Sequence, residues 1–194
     1  MTRALILATA IAALAALFPG ASVQAGQRDL SINKSGPGFP CMFDPERGTV
    51  PNCISETKSG SFLVASKYIP GLSFDDYGLA SVYTEKTGWM YVNRAGHAVV
   101  TEMPDFDNGA DYFRDGLVRT TRRNKYGYAN RAGVVVIPRI YDGAYPFDRG
   151  TAVVCEGCHV TWDKSHEHSW FVGGKWYRVD AQGRIVAHLK TRRQ

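Results

Sequence analysis

The chain has 194 residues, with 23 Lys and Arg against 18 Asp and Glu, a formal charge of +5 and four cysteines. That length suits one domain with a moderate core. The positive excess is mild and scattered, and no nucleic-acid-binding motif accompanies it, so a nucleic-acid binder is set aside.

Residues 1–25 read as a secretory signal peptide. Arg3 supplies the positive start, Ala4 to Phe18 is almost wholly apolar, Pro19-Gly20 breaks the run, and Val23-Gln24-Ala25 offers small residues for cleavage. The apolar core is about fifteen residues, short for a stable span, so an uncleaved anchor is the lesser alternative and no stable transmembrane segment is expected after cleavage. The expected location is the bacterial periplasm or the medium. Residues 26–60 follow as a loop-rich arm holding Cys41 and Cys53. An oxidising compartment favours a Cys41–Cys53 disulfide, which would add about 3 kcal/mol by closing a short loop. Four cysteines allow other connectivities. Phe62 to Ala65 reads as a first strand. Tyr68 and Phe74 have the spacing of Tyr141 and Phe147, which marks the tail of a repeat whose hairpin has decayed into a terminal cap.

The repeat itself is legible by spacing. Trp89, Tyr126 and Trp176 each stand seven residues before a glycine, Gly96, Gly133 and Gly183. Asn93, Asn130 or Asp180 comes four places after the aromatic, and Val99, Val136 or Val186 ten places after it. In a second register Phe74, Phe113 and Phe147 lead to Gly78, Gly116 and Gly150, each opening an apolar run. Asn and Gly tolerate the positive φ that hairpin turns require. The expected fold is therefore all-β: tandem β-hairpin repeats stacked into a curved sheet or solenoid-like array over residues 61–189, with a basic tail at 190–194. The clearest copy, 124–155, reads as strand, tight turn, strand, loop, strand. Trp89, Tyr126, Phe147 and Trp176 are expected to form the repeat core with Gly96, Gly133, Gly150 and Gly183 at its turns. Tyr91 and Tyr128 should share the face of Trp89 and Tyr126, with Met90 and Tyr177 pointing away. The basic run Arg119 to Lys125 reads as a solvated turn, with a patch for anionic envelope polymers as the functional alternative. Asp105 to Asp111 has the alternating carboxylates of a calcium loop, but its glycine is misplaced and the repeat accounts for the same residues.

An insertion at 156–172 breaks the third copy and collects the chemistry-bearing side chains: Cys155, Cys158 and His159, then His166, Glu167 and His168. Three readings compete. Cys-x-x-Cys-His is the covalent haem pattern, with Cys155 and Cys158 as thioethers and His159 on iron, although little of the chain reads as helix. Cys155 and Cys158 with two of His159, His166 and His168, the close pair His166 and His168 foremost, could bind zinc. The simplest reading is a Cys155–Cys158 disulfide pinning the neck of a long hairpin, since an exported chain with four cysteines most simply forms two bridges. Thiol redox catalysis ranks lower, because the pair follows a strand signal rather than opening a helix.

These residues resemble the WG (KWG) repeat family of bacterial proteins. Residues 124–154 match its pattern nearly throughout, with Tyr126 in the tryptophan position and Gly127 after it. The flanking copies depart from it, since Met90 and Tyr177 replace that glycine and the third copy stops after Val186. The resemblance spans roughly residues 68–189. It implies a β-rich repeat domain serving binding or envelope roles, with no shared catalytic residues. No nucleophile elbow, phosphate loop, metalloprotease helix or carboxylate pair appears beside it. The expected function is an exported, non-catalytic binding module without a cofactor, acting on a protein or a cell-envelope polymer; a periplasmic toxin-neutralising protein is one version. The contrasting class is a metal- or haem-binding protein built on Cys155, Cys158 and His159.

Overall fold

In the computed structural model, residues 38–43, 46, 48–104 and 109–190 are described. The expected signal peptide, residues 105–108 of the carboxylate-rich loop and residues 191–194 of the basic tail lie outside them. The fold is all-β, built of small antiparallel sheets. The first joins β1 (Phe39–Cys41), β2 (Val50–Glu56) and β3 (Phe62–Val64); a 3-10 turn, Ser66–Gly71, follows. The second joins β4 (Leu79–Thr84), β5 (Gly88–Asn93) and β6 (Ala98–Val100). The third joins β7 (Leu117–Arg122), β8 (Lys125–Asn130) and β9 (Val135–Tyr141). The fourth runs β10 (Gly143–Ala144), β11 (Thr151–Glu156), β14 (Lys175–Asp180) and β15 (Ile185–Leu189). Between β11 and β14 the insertion forms its own hairpin, β12 (His159–Trp162) and β13 (Ser169–Val172).

One turn is used four times. Asn93 Oδ1 accepts hydrogen bonds from the Ala95 and His97 N–H groups at 3.0 and 3.1 Å. Asn130 Oδ1 does the same for Ala132 and Val134, and Asp180 Oδ1 for Gln182 and Arg184. The glycine closing each of these turns has φ near +80°: +81° at Gly96, +79° at Gly133 and +77° at Gly183. The β2–β3 connection repeats the pattern with Thr57 as acceptor for the Ser61 N–H at 3.1 Å and Gly60 at φ +78°. The stretch expected to be a loop-rich arm is thus in part a further copy of the hairpin unit, forming one of three three-stranded sheets, and its hairpin has not decayed. Thr57 replaces Asn, and Cys53 stands seven residues before Gly60 where the other copies carry an aromatic.

The sheets pack face to face. One apolar cluster joins Cys41, Cys53, Ile54 and Val64 to Ala80, Val82, Met90 and Val92. A second joins Leu79, Tyr91 and Val100 to Val118 and Ala129. A third joins Leu117, Tyr128 and Ile137 to Ala152, Val154, Tyr177 and Val179. The middle strands of the second and third sheets, β5 and β8, are therefore covered on both faces. Met90 and Tyr177 face away from Trp89 and Trp176, as alternation requires, and they do so into the clusters on the opposite side: Met90 is fully buried and Tyr177 nearly so. Trp89, Tyr126 and Trp176 are only half-buried, whereas Tyr91 and Tyr128, two places on, are buried, as are Phe147 and Tyr141.

Those tyrosines lock each sheet to the segment leading into the next. The Tyr91 ring lies 5.0 Å from Phe113 and its hydroxyl donates to the Asp111 carbonyl at 2.8 Å. Tyr128 lies 4.8 Å from Phe147, edge to face, and donates to the Tyr145 carbonyl at 2.6 Å. The acceptor stands two residues before the phenylalanine in both cases. A buried ion pair reinforces the second joint: Arg119 Nε and Nη2 reach Asp111 at 2.8 and 3.1 Å, and its Nη1 donates to the Ala144 carbonyl at 3.0 Å. Arg119, expected in a solvated turn, is therefore part of the core because its inward position on β7 meets Asp111. On the other edge, the turn glycines dock on the third strand of the preceding sheet. Gly96 sits against Val64, Gly133 against Val99 and Gly183 against Ile137.

Gly133 and Gly150 have the same φ of +79°, but a Cβ at Gly133 would run into the Val99 carbonyl oxygen while one at Gly150 would meet open space. Gly150→Ala should cost about 1 kcal/mol through strain alone, and Gly133→Ala clearly more, by urea denaturation. Burial, with the Asp111 charge second, pushes the Tyr91 hydroxyl up to about 12, and burial pushes Tyr128 higher still. Unfolded phenols lose their protons near pH 10, so above that the unfolded chain binds fewer protons than the folded one. Stability should be complete below about pH 10 and fall above it, by about 1.4 kcal/mol per pH unit for each tyrosine. The Tyr91→Phe, Tyr128→Phe double variant should flatten that alkaline slope in urea titrations, at a cost of about 1 kcal/mol per site at neutral pH.

Candidate functional site

The fourth sheet differs from the inner two in having one bare face. Alternation along paired strands puts Thr151, Val153 and Cys155 of β11 on one side with Trp176 and Arg178 of β14. In the second and third sheets the corresponding face is covered by the next unit. Here, among the described residues, no further sheet follows, and Trp176 remains half-buried with Arg178 exposed. The face is the floor of a groove of about 1090 Å³, walled on one side by Trp170 and Phe171 of the inserted hairpin.

Aromatic rings set its shape. Tyr145 stacks on Trp176, with centroids 6.1 Å apart and planes 24° apart. Phe171 stands edge-on to Tyr145 at 5.8 Å and to Tyr126 at 5.5 Å. It lies over Gly143, where a Cβ would collide with the Phe171 ring and with the Cys155 sulfur. Only a glycine at 143 lets the hairpin fold down there. The Trp176 indole N–H is spent on the Gly173 carbonyl at 2.8 Å, which fixes the ring. Arg178 Nη1 donates to the Thr151 hydroxyl at 3.2 Å, and Asp148 and Lys190 complete the polar rim.

The neck of the hairpin is held at three points. Cys155 and Cys158 are joined by a disulfide, as are Cys41 and Cys53. Asp142 accepts from the Gly157 N–H at 2.8 Å and from Lys125 Nζ at 2.5 Å. The Lys125 hydrogen bond, and then that of Gly157, hold the Asp142 carboxyl below the usual carboxylate range. Gly174 packs so closely on the Glu156–Cys158 backbone that no side chain fits there.

The residues suggested for haem or zinc are not assembled. The Cys155 and Cys158 sulfurs are bonded to each other, and exposed His159 opens β12. His166 and His168 are exposed in the tip turn organised by Asp163, beyond the ends of β12 and before β13. No cluster of three or more His, Cys, Asp or Glu side chains suited to a metal occurs among the described residues. Asp111, the described carboxylate of the candidate calcium loop, is taken by Arg119. Of the repeat-core residues singled out in the sequence, Trp176 lines the groove, while Phe147 is buried against Tyr128 and Gly150 is not among the lining residues. Tyr145, Phe171 and Arg178 carried no local motif. The signal for Arg178 was its place in the repeat, where Tyr91 and Tyr128 stand in the other copies.

Residues 126–157 match the family model described as WG containing repeat. No curated protein and no solved structure matches the chain. The matched segment begins in β8 and ends just past β11, so one sequence repeat belongs to two sheets.

Intact mass of the protein should lie about 4 Da below that of its reduced form, two hydrogens per bridge, and peptide mapping should return Cys41–Cys53 and Cys155–Cys158. Free thiols in the native protein would contradict both pairings.

Proposed function

We propose that this WG repeat-containing protein is an exported, non-catalytic binding module whose ligand sits in the aromatic groove of the fourth sheet. The observation that carries this reading is the bare face itself. The second and third sheets bury Tyr91 and Tyr128, whereas the fourth leaves Arg178 exposed at the same position, with Trp176 and Val153 half-buried beside a wall of Trp170 and Phe171. Rigid aromatic side chains in a concave setting, with a few polar groups at the rim, are what binding surfaces use, because they contribute contact area at low entropic cost. Here the rings are fixed by the Trp176–Gly173 hydrogen bond and by stacking, so the surface is organised before any ligand arrives.

Export is supported by the apolar leader and by the two disulfides, which persist in oxidising compartments. No helix among the described residues is long and apolar enough to cross a membrane. The partner is a protein or a polymer of the cell envelope, and neutralisation of a periplasmic toxin is one form of this reading.

A photoreactive amino acid at Asp148, on the groove rim, should give crosslinked adducts in the cells that make the protein. The same group at Gln182, in the β14–β15 turn, should give none. Equal labelling from both positions, or none from Asp148, would dismiss the groove as the binding surface.

A further inference from the structure

We infer that the groove receives an extended polypeptide segment of a partner protein that carries a phenylalanine followed by an acidic residue. This rests on the groove being the ligand-binding surface. The same face occurs twice more in the chain, and there its occupant is visible. The second sheet presents Trp89 and Tyr91, and residues 111–113 cover it: Phe113 packs on the Tyr91 ring and the Asp111 carbonyl accepts from the Tyr91 hydroxyl. The third sheet presents Tyr126 and Tyr128, and residues 145–147 cover it in the same way, through Phe147 and the Tyr145 carbonyl. In both cases the occupant is a stretch of irregular or barely paired backbone with one phenylalanine and one inward-facing carbonyl.

The fourth sheet keeps the parts that recognise such a segment. Trp176 occupies the position of Trp89 and Tyr126. Arg178 occupies the position of Tyr91 and Tyr128, so a hydrogen-bond donor is retained where the inner sheets aim one at a carbonyl oxygen. The change from phenol to guanidinium adds a positive charge and a longer reach, and Lys190 adds a second charge at the rim. Asp148 is the single carboxylate among the groove-lining residues. Charge complementarity therefore asks for an acidic group beside the ring, because a charge-assisted bond to Arg178 is the stronger choice. Of the two covering segments, one reads Phe147-Asp148 and the other Phe113-Arg114, so the acidic preference comes from Arg178 and Lys190 rather than from the inner joints. A neutral glycan would stack on Trp176 but would leave both cations unmatched.

The probe is a capped synthetic peptide copying residues 143–150, Gly-Ala-Tyr-Pro-Phe-Asp-Arg-Gly, titrated into the full chain and followed by tryptophan fluorescence. Saturable binding is expected. Replacing the peptide's Phe by Ala, or Arg178→Gln in the protein, should weaken it about tenfold or more, in line with loss of a buried ring or a charge-assisted hydrogen bond. Arg178 is exposed, so the variant should keep the wild-type urea midpoint, which separates lost binding from lost folding. No saturable response to the peptide, or a response untouched by Arg178→Gln, would overturn the inference. If a neutral chitin oligosaccharide bound instead, and Trp176→Ala abolished it, the polypeptide occupant would fall while the groove remained the binding surface. If Trp176→Ala left every response unchanged and Asp148 gave no adducts, both readings would fall together.

Discussion

The contact between Tyr128 and Phe147 does two jobs that the sheet array cannot do without. The ring-on-ring contact removes apolar surface from water, which supplies attraction without direction. The Tyr128 hydroxyl supplies the direction. A phenol this deep must find an acceptor or lose the free energy of an unmet hydrogen bond, and the Tyr145 carbonyl is that acceptor at 2.6 Å. The covering segment is thereby fixed in register as well as in place. Tyr91 repeats the joint with Phe113 and Asp111. Each inner sheet is held at this joint and, on its opposite edge, at the turn glycine that docks on the strand before it.

Because both faces of β5 and β8 are packed, the side chains there must be sized to their neighbours. Gly127, the glycine of the family's motif, shows how. Its missing Cβ would strike the backbone at Ile137–Arg139, where β9 bulges so that Tyr126 pairs with Tyr141 while Tyr128 pairs with Ile137. Two steps along β8 thus face four along β9. The fourth sheet has no such bulge at that point: Trp176 and Tyr177 pair in regular order with Leu189 and His188. In the second sheet β6 ends at Val100, opposite Tyr91, so no paired strand faces Met90. Tyr177 and Met90 can therefore stand where glycine is required in the central copy.

How much of this was legible follows from which forces are local. The turns were readable because Asn or Asp with Gly three places later makes its hydrogen bonds within five residues. The strand runs were readable by spacing. The first unit was missed because Thr57 does the work of Asn and a cystine takes the place of the aromatic, so both signals changed at once. Burial was not legible at Arg119, because it stands in a charge run that reads as solvated and its partner Asp111 comes from another segment. Stacking on both faces is a tertiary fact, and nothing within a single strand encodes it. The groove was hidden for the same reason. Phe171 is distant in sequence from Gly143 and Tyr126, and only the folded hairpin brings the three together.

The position of the insertion follows from the fourth sheet's bare face. Each inner sheet is covered by the segment leading into the next, and among the described residues no further sheet covers the fourth. In solenoid proteins that face is usually made polar by a capping unit. This chain does something different. It changes one inward-type tyrosine to Arg178, which tolerates water, and it folds a hairpin from β11 and β14 over one margin of the face, pinned at its neck by Cys155–Cys158 and Asp142. Complete capping would have needed polar residues at Trp176, Val153 and Tyr145 as well, and those remain aromatic or aliphatic. A face half solubilised and half walled, with its rings held rigid, satisfies solubility only in part. What it retains is the recognition chemistry of the inner joints, turned outward.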